Sequence, residues 1–309
     1  MIEQSVAGTV LMIRPAGFGA NPETAASNRF QRVAPQSTEV SQAATTEFDA
    51  VVRVLTEAGI GVEVFDDTPE PWTPDAVFPN NWISFHADGA VCLYPMQAQN
   101  RRRERRPDVL QALEQERGYR ITRIEDLSDT EQDGRYLEGT GSLVLDRTNR
   151  VAYAGLSPRT DEQLVHTWCR SFDYEPVIFR AAGPDGAAIY HTNVMMCIGE
   201  RFAIACLDSI PNPVERKRVS ERLEATGHQL VPIGMEQMLQ FAANMLLLHD
   251  RDDNRILVMS TRAERALTDQ QRKLLQKSAR IVSSPLNTIE DCAGGSMRCM
   301  IAELLLPRK

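Results

Sequence analysis

One order of elements, strand, strand, helix, strand, recurs along this chain at intervals of 50 to 60 residues, and that recurrence limits its fold more than any composition figure. Residues 81–95 read NWISFHADGAVCLYP, two β-rich runs joined at Asp88-Gly89, a strong hairpin signal. The next stretch, PDVLQALEQER, puts Pro107 at a helix start, sets Val109, Leu110 and Leu113 at helical spacing, and gives way at Gly118 to a strand-like run over 119–124. The second copy has strands over 142–146 and 151–156, a helix capped by Thr160, and an extended run over 176–180. The third has strands over 194–198 and 202–207, a helix over 213–226 and a strand over 229–233. The fourth has strands over 245–249 and 256–260, a helix over 268–278 and a strand over 280–283.

Only the ends are left. A strand over 300–306 would open a fifth unit completed by 9–13, a helix over 37–58 and a strand over 60–65, so the chain closes on itself. Repetition with one unit split between the termini predicts a ring: an α/β, five-unit propeller of ββαβ repeats around a pseudo-fivefold axis. No Gly/Ser linker interrupts it, so residues 1–309 are read as a single domain.

Composition excludes several functions. A formal charge of −8 repels phosphate backbones and anionic membranes, so neither nucleic acid nor a membrane is expected as a partner. No apolar run is long enough to span a bilayer, and the acidic N-terminal start does not read as a signal peptide, which together predict a cytoplasmic address. Six cysteines (Cys92, Cys169, Cys197, Cys206, Cys292, Cys299) lie scattered without CxxC spacing, which predicts free thiols and no metal site.

The residue entering or just before the first strand of each unit is Asn81, Glu138, His191, Asn244 or Cys299, at intervals of 57, 53, 53 and 55 residues. Such regular spacing predicts equivalent stations converging near the ring axis. A thiol nucleophile, an imidazole for proton transfer and a carboxylate are the parts of a covalent cysteine hydrolase or transferase. Gly294-Gly295 upstream of Cys299 permits close approach of backbone to a ligand, and Arg298 could help hold a thiolate.

The segments LEGTGSLVLD at Glu138, HTN at His191 and GGSMRCM at Cys299 resemble motifs of the guanidino-group-modifying enzymes: arginine deiminases, dimethylargininases and amidinotransferases. DAVFPNN from Asp75, NRRRE from Asn100 and LSPRT from Leu156 extend the likeness over nearly the whole chain. The resemblance implies a five-unit propeller and no cofactor. It makes Cys299 the nucleophile, His191 the acid/base and Glu138 its neighbouring carboxylate. It also assigns substrate contacts to Asp75, Phe78, Asn80, Asn81, Asn193 and Asn244, with Arg101 and Arg159 clasping an amino acid's α-carboxylate.

The chain departs from the guanidino enzymes where it carries neutral Asn80, Asn81 and Asn193 in place of acids. Each lost carboxylate removes a charge-assisted partner worth about 1.5–3 kcal/mol to a guanidinium, whereas an amide offers donor and acceptor to a neutral ureido group. This pattern, with the opening RPAGFGANPETAASNRFQ, is similar to the citrulline-hydrolysing branch. The expectation is a hydrolase of the ureido C–N bonds of citrulline or a close analogue. A guanidino-substrate enzyme and a non-catalytic ring of the ribosome anti-association type remain alternatives, and homo-oligomerisation is open.

Overall fold

In the computed structural model, which describes residues 5–25, 27–31 and 37–309, the repeated order reads as five separate three-stranded sheets. The chain opens on β1 (Thr9–Arg14), α1 (Thr38–Glu57) and β2 (Gly61–Asp66). The first full unit is β3 (Ile83–Phe85), β4 (Ala90–Leu93), α2 (Pro107–Gln115) and β5 (Arg123–Asp126). It is followed by β6 (Leu143–Asp146), β7 (Val151–Leu156), α3 (Glu162–Phe172) and β8 (Glu175–Arg180). The next unit is β9 (Met196–Ile198), β10 (Phe202–Ala205), α4 (Pro213–Ala225) and β11 (Gln229–Pro232). Then come β12 (Leu246–His249), β13 (Arg255–Ser260), α5 (Asp269–Gln276) and β14 (Arg280–Ser284), before α6 (Asn287–Ala293) leads to β15 (Ala302–Glu303).

Every sheet has one plan. A first strand pairs antiparallel with a second, and the second pairs parallel with a third after the chain has crossed through a helix. The terminal strands complete the fifth sheet, with β15 antiparallel to β1 and β2 parallel to it. Asp88-Gly89 turns the β3–β4 hairpin with Gly89 at φ +88°, a conformation glycine adopts at no steric cost. Helix α1 lays an apolar stripe against the sheets, with Ala44, Phe48, Val51 and Leu55 recurring at helical spacing and all buried. Burying each of the larger ones contributes roughly 1.5–3 kcal/mol.

Several boundaries differ from the sequence expectation. The strand over 119–124 begins at Arg123, because Gly118 (φ +71°) sends Tyr119 into a bridge with Arg308 and its ring under that guanidinium. Asp161, not Thr160, caps α3 by accepting from Leu164 N, while the Thr160 hydroxyl donates to Ser142 Oγ at 2.8 Å. The long strand over 300–306 shrinks to two residues. Val194 falls in a short 3₁₀ turn before its strand, and Ser142 in a one-turn helix before β6.

Those turns also correct the stations. Glu138 and His191 stand at the start of their turns, whereas Asn81 and Cys299 lie inside theirs and Asn244 lies just before β12, so the five are not equivalent positions. Among the described residues, no helix is long and apolar enough to cross a membrane and no cluster of His, Cys, Asp and Glu is arranged to hold a metal. Residues 1–4, part of the stretch behind the expected absence of a signal peptide, lie outside the described residues, as does residue 26 of the RPAGFGANPETAASNRFQ segment.

Candidate active site

The turns ahead of the first strands bring Cys299, His191, Glu138 and Asn81 together. Cys299, Asn81 and His191 line one small cavity with Asp75, Phe78, Arg101, Arg159, Asn28, Tyr190, Ala293 and Gly295. Phe78 packs against Gly295 so closely that an added Cβ would sit 2.6 Å from its ring. That contact explains a glycine in the Cys299 turn region by shape alone.

Glu138 is the electrostatic centre. Its Oε2 lies 2.8 Å from His191 Nε2, 3.4 Å from Arg159 Nη1 and 3.6 Å from Arg101 Nη1, and its Oε1 accepts from Gln97 N at 3.0 Å. Burial alone would raise its pKa, but Arg159, His191 and Arg101 outweigh burial and hold the carboxyl well below the usual range. An ionised carboxylate only accepts, so His191 Nε2 carries the proton and Nδ1 is left as the acceptor. Burial pushes the His191 pKa down to about 4 against the pull of Glu138, so the imidazole is neutral near pH 7.

This depression has a measurable consequence for stability. Because the fold favours neutral His191, its contribution is complete above about pH 6.5 and is lost as pH falls through 6.5 toward 4, where the unfolded chain takes up the proton first. The loss over that window should be roughly 3 kcal/mol. Urea denaturation midpoints at pH 7, 5.5 and 4.5 measure it. A His191→Gln variant should show a flatter acid limb; identical limbs in the two proteins would mean that the imidazole titrates freely.

Gly141 sets the spacing of the polar groups. A Cβ there would lie 2.5 Å from Asn81 Nδ2 and 2.7 Å from His191 Nδ1. We expect Gly141→Ala to fold, judged by circular dichroism, and to lose about 10²-fold in kcat/KM, the order expected for an ångström-scale misplacement. Wild-type kinetics would show that the two side chains need no such approach.

The sequence-derived residues divide into groups. Asn193 and Asn244 do not line the cavity; they contact the Cys299 thiol, with Asn244 Nδ2 at 3.2 Å and Asn193 Nδ2 at 3.6 Å from Sγ. Asn80 also lies outside the cavity wall, its Nδ2 donating to Thr140 Oγ1 at 3.3 Å. Arg101 lines the cavity, but its fork is committed: Nε and Nη2 donate to Glu104 at 2.9 Å each, and Nη1 donates to Asn81 Oδ1 at 3.0 Å. It is therefore poorly placed to clasp a carboxylate. Arg298 turns away from Cys299, its guanidinium donating to Ile301 O and Glu303.

Sequence reasoning gave no role to the loop that roofs the cavity. Asn21 Nδ2 donates to Asp75 Oδ2 at 2.7 Å, Asn28 Nδ2 to Ala293 O at 2.8 Å, and Arg159 Nη2 donates to Ser27 Oγ at 2.7 Å. Tyr190 lies beneath the Arg159 guanidinium, 4.9 Å from ring centre to charge, and its hydroxyl donates to Gly294 O at 2.5 Å. The polar density of ANPETAASN was the available signal; nothing local tied it to Asp75.

A thiol, an imidazole held by a buried carboxylate and an α/β scaffold of this plan define the pentein, amidinotransferase-like superfamily. Within it, residues 14–306 match the family described as N,N dimethylarginine dimethylhydrolase, eukaryotic, and the chain belongs to that family. No curated protein matches the sequence. Among solved structures, the N-terminal domain of ArgZ, an arginine dihydrolase from the ornithine–ammonia cycle in cyanobacteria, bound to substrate, superposes with a TM-score of 0.73 at 18% identity, over 96% of this chain and 99% of that one. The apo structure of ArgZ gives 0.75 at 18% identity over 97% of this chain, which spans only 41% of ArgZ. DDAH from Pseudomonas aeruginosa, a mutant complexed with citrulline, gives 0.66 at 13% identity over 96% of this chain and 99% of that one. At these identities the likeness is one of fold.

Proposed function

We propose that the protein is a cysteine-dependent hydrolase that breaks the ureido C–N bonds of citrulline or a close analogue. Its five units are read as blades of one propeller domain over residues 1–309, acting in the cytoplasm on a small amino acid. One observation carries the ureido assignment. Arg101 can only donate, so its bond to Asn81 Oδ1 fixes the amide and leaves Asn81 Nδ2 as a buried donor with no partner among the described residues. An unpaired buried donor costs about 1–3 kcal/mol, and a ureido oxygen satisfies it where an all-donor guanidinium cannot.

In this reading Cys299 Sγ attacks the ureido carbon while His191 Nδ1 takes up the thiol proton. The tetrahedral intermediate then expels the substrate amine, which leaves with that proton, and an S-carbamoyl group remains on Cys299. Water, deprotonated by His191, displaces the sulfur and restores the thiol. The released carbamate breaks down to carbon dioxide and ammonia. Arg159, whose Nε and Nη2 donate to the Ser27 hydroxyl and the Thr24 carbonyl rather than to a carboxylate fork and whose Nη1 reaches Glu138 only at 3.4 Å, is the better placed of the two arginines to receive the α-carboxylate.

A second reading, a guanidino hydrolase, is favoured by Asp75, a carboxylate on the cavity wall, and by the family to which the chain belongs. Incubation with citrulline, arginine, N,N-dimethylarginine and agmatine, with ornithine, citrulline and ammonia measured separately, distinguishes the two. Asn81→Asp keeps the acceptor for Arg101 but replaces the free donor by an anion. It should lower the citrulline-to-arginine ratio of kcat/KM by about tenfold or more, the equivalent of ~1.4 kcal/mol. An unchanged ratio would remove the ureido assignment's support and put the guanidino reading first.

A further inference from the structure

A second cavity, of about 50 Å³, lies behind the nucleophile among the first strands β6, β9 and β12. At ~10–15 Å³ of such volume per water, it has room for about four waters or one small oxyanion. Arg147, Arg298, Glu303 and Asn193 meet in its wall. Arg147 donates through Nε to Glu303 Oε1 at 3.2 Å, and Arg298 through Nη2 to Glu303 Oε2 at 2.9 Å. The two arginines are only 9% and 8% exposed.

Two guanidinium groups thus share one carboxylate. The other acids on the wall are already committed: Asp146 accepts from Asn149 N and Nδ2 at 3.0 and 2.9 Å, with His228 Nε2 3.8 Å away, and Glu200 pairs with Arg255 at 2.7 and 2.9 Å. Among the described residues, Nη1 and Nη2 of Arg147, a residue of the cavity wall, have no hydrogen-bond partner, and neither is fully buried. A buried guanidinium with unspent donors is costly unless an anion completes its pairing, and a planar fork suits a two-oxygen anion best.

We propose that this cavity binds a small oxyanion of the carboxylate or bicarbonate class, held by Arg147 and Arg298 beside Glu303. The site stands independently of which substrate Cys299 attacks. It adjoins the nucleophile's supports, since Asn193 belongs to both and the Arg298 backbone N–H donates to Asn244 Oδ1 at 3.0 Å.

Thermal unfolding of the full chain in formate, bicarbonate and phosphate, with chloride at matched ionic strength as the salt control, tests the proposal. Formate or bicarbonate should raise Tm saturably, by on the order of 5 °C at about a hundredfold excess over Kd. Phosphate, tetrahedral and larger, should do less. Arg147→Gln should weaken the binding at least tenfold and leave basal turnover unchanged. Glu303→Gln removes the competing carboxylate and should tighten it about tenfold, so the proposal can still be tested if the first variant does not fold. Equal shifts in chloride, a shift unchanged in Arg147→Gln, or binding unimproved in Glu303→Gln would each overturn it.

Discussion

Replacing Cys299 by serine is expected to abolish turnover while leaving the fold and the substrate affinity intact. The side chain is almost fully buried and keeps its shape in the exchange, and the amide donors of Asn193 and Asn244 that reach Sγ can also serve a hydroxyl. A serine hydroxyl near neutral pH is a far weaker nucleophile unless a base is built to activate it, and loss of a nucleophile acting as part of a catalytic unit costs on the order of 10³–10⁶ in rate. Steady-state kcat, calorimetric substrate binding and thermal unfolding measured on the same preparation separate the three effects. Turnover within tenfold of wild type would end the covalent mechanism, and a Cys292→Ser control should stay fully active, since Cys292 lies on α6 outside the cavity.

His191→Ala is the second large effect expected. His191 is neutral near pH 7, so in the proposed mechanism the proton it would give to the departing amine is the one taken from the thiol, and both half-reactions would pass through Nδ1. Its loss should lower kcat by about 10²–10⁴-fold with little change in substrate affinity. Glu138 keeps Arg159 and Arg101 as partners in the variant, so no buried carboxylate is left unpaired and the protein should fold. Rapid single-turnover formation of the acyl-type intermediate in His191→Ala, followed by slow hydrolysis, would confine the residue to the second half-reaction. Wild-type rates in both would return it to a packing role.

Local order was the most legible part of the sequence. Pro107 at a helix start, Asp88-Gly89 in a hairpin and the apolar spacing of α1 each act within a few residues, and each element formed where its own chemistry placed it. The chemical types of the site were legible for the same reason: a cysteine, a histidine and a glutamate recur near the same point of successive units. Their geometry was not. Glu138 and His191 begin their turns while Cys299 sits inside its own, a difference set by packing between units that no single unit encodes.

Arginine illustrates the limit best. The run NRRRE showed that Arg101 was available, and its planar fork suggested a carboxylate; the fold supplied one from Glu104, three residues on, and turned the remaining donor to Asn81. Asn21 and Asp75, 54 residues apart, form a 2.7 Å bond over the cavity that has no trace in either local sequence. What the sequence determined by itself is the repeat, the helices and hairpins, and the inventory of reactive groups, because these depend on interactions between near neighbours. What only the tertiary structure decided is how Asn81 and Asp75 are paired and which loop covers the site, because buried polar groups must find partners and, beyond local pairs such as Arg101 with Glu104, those partners come from residues far apart in the chain.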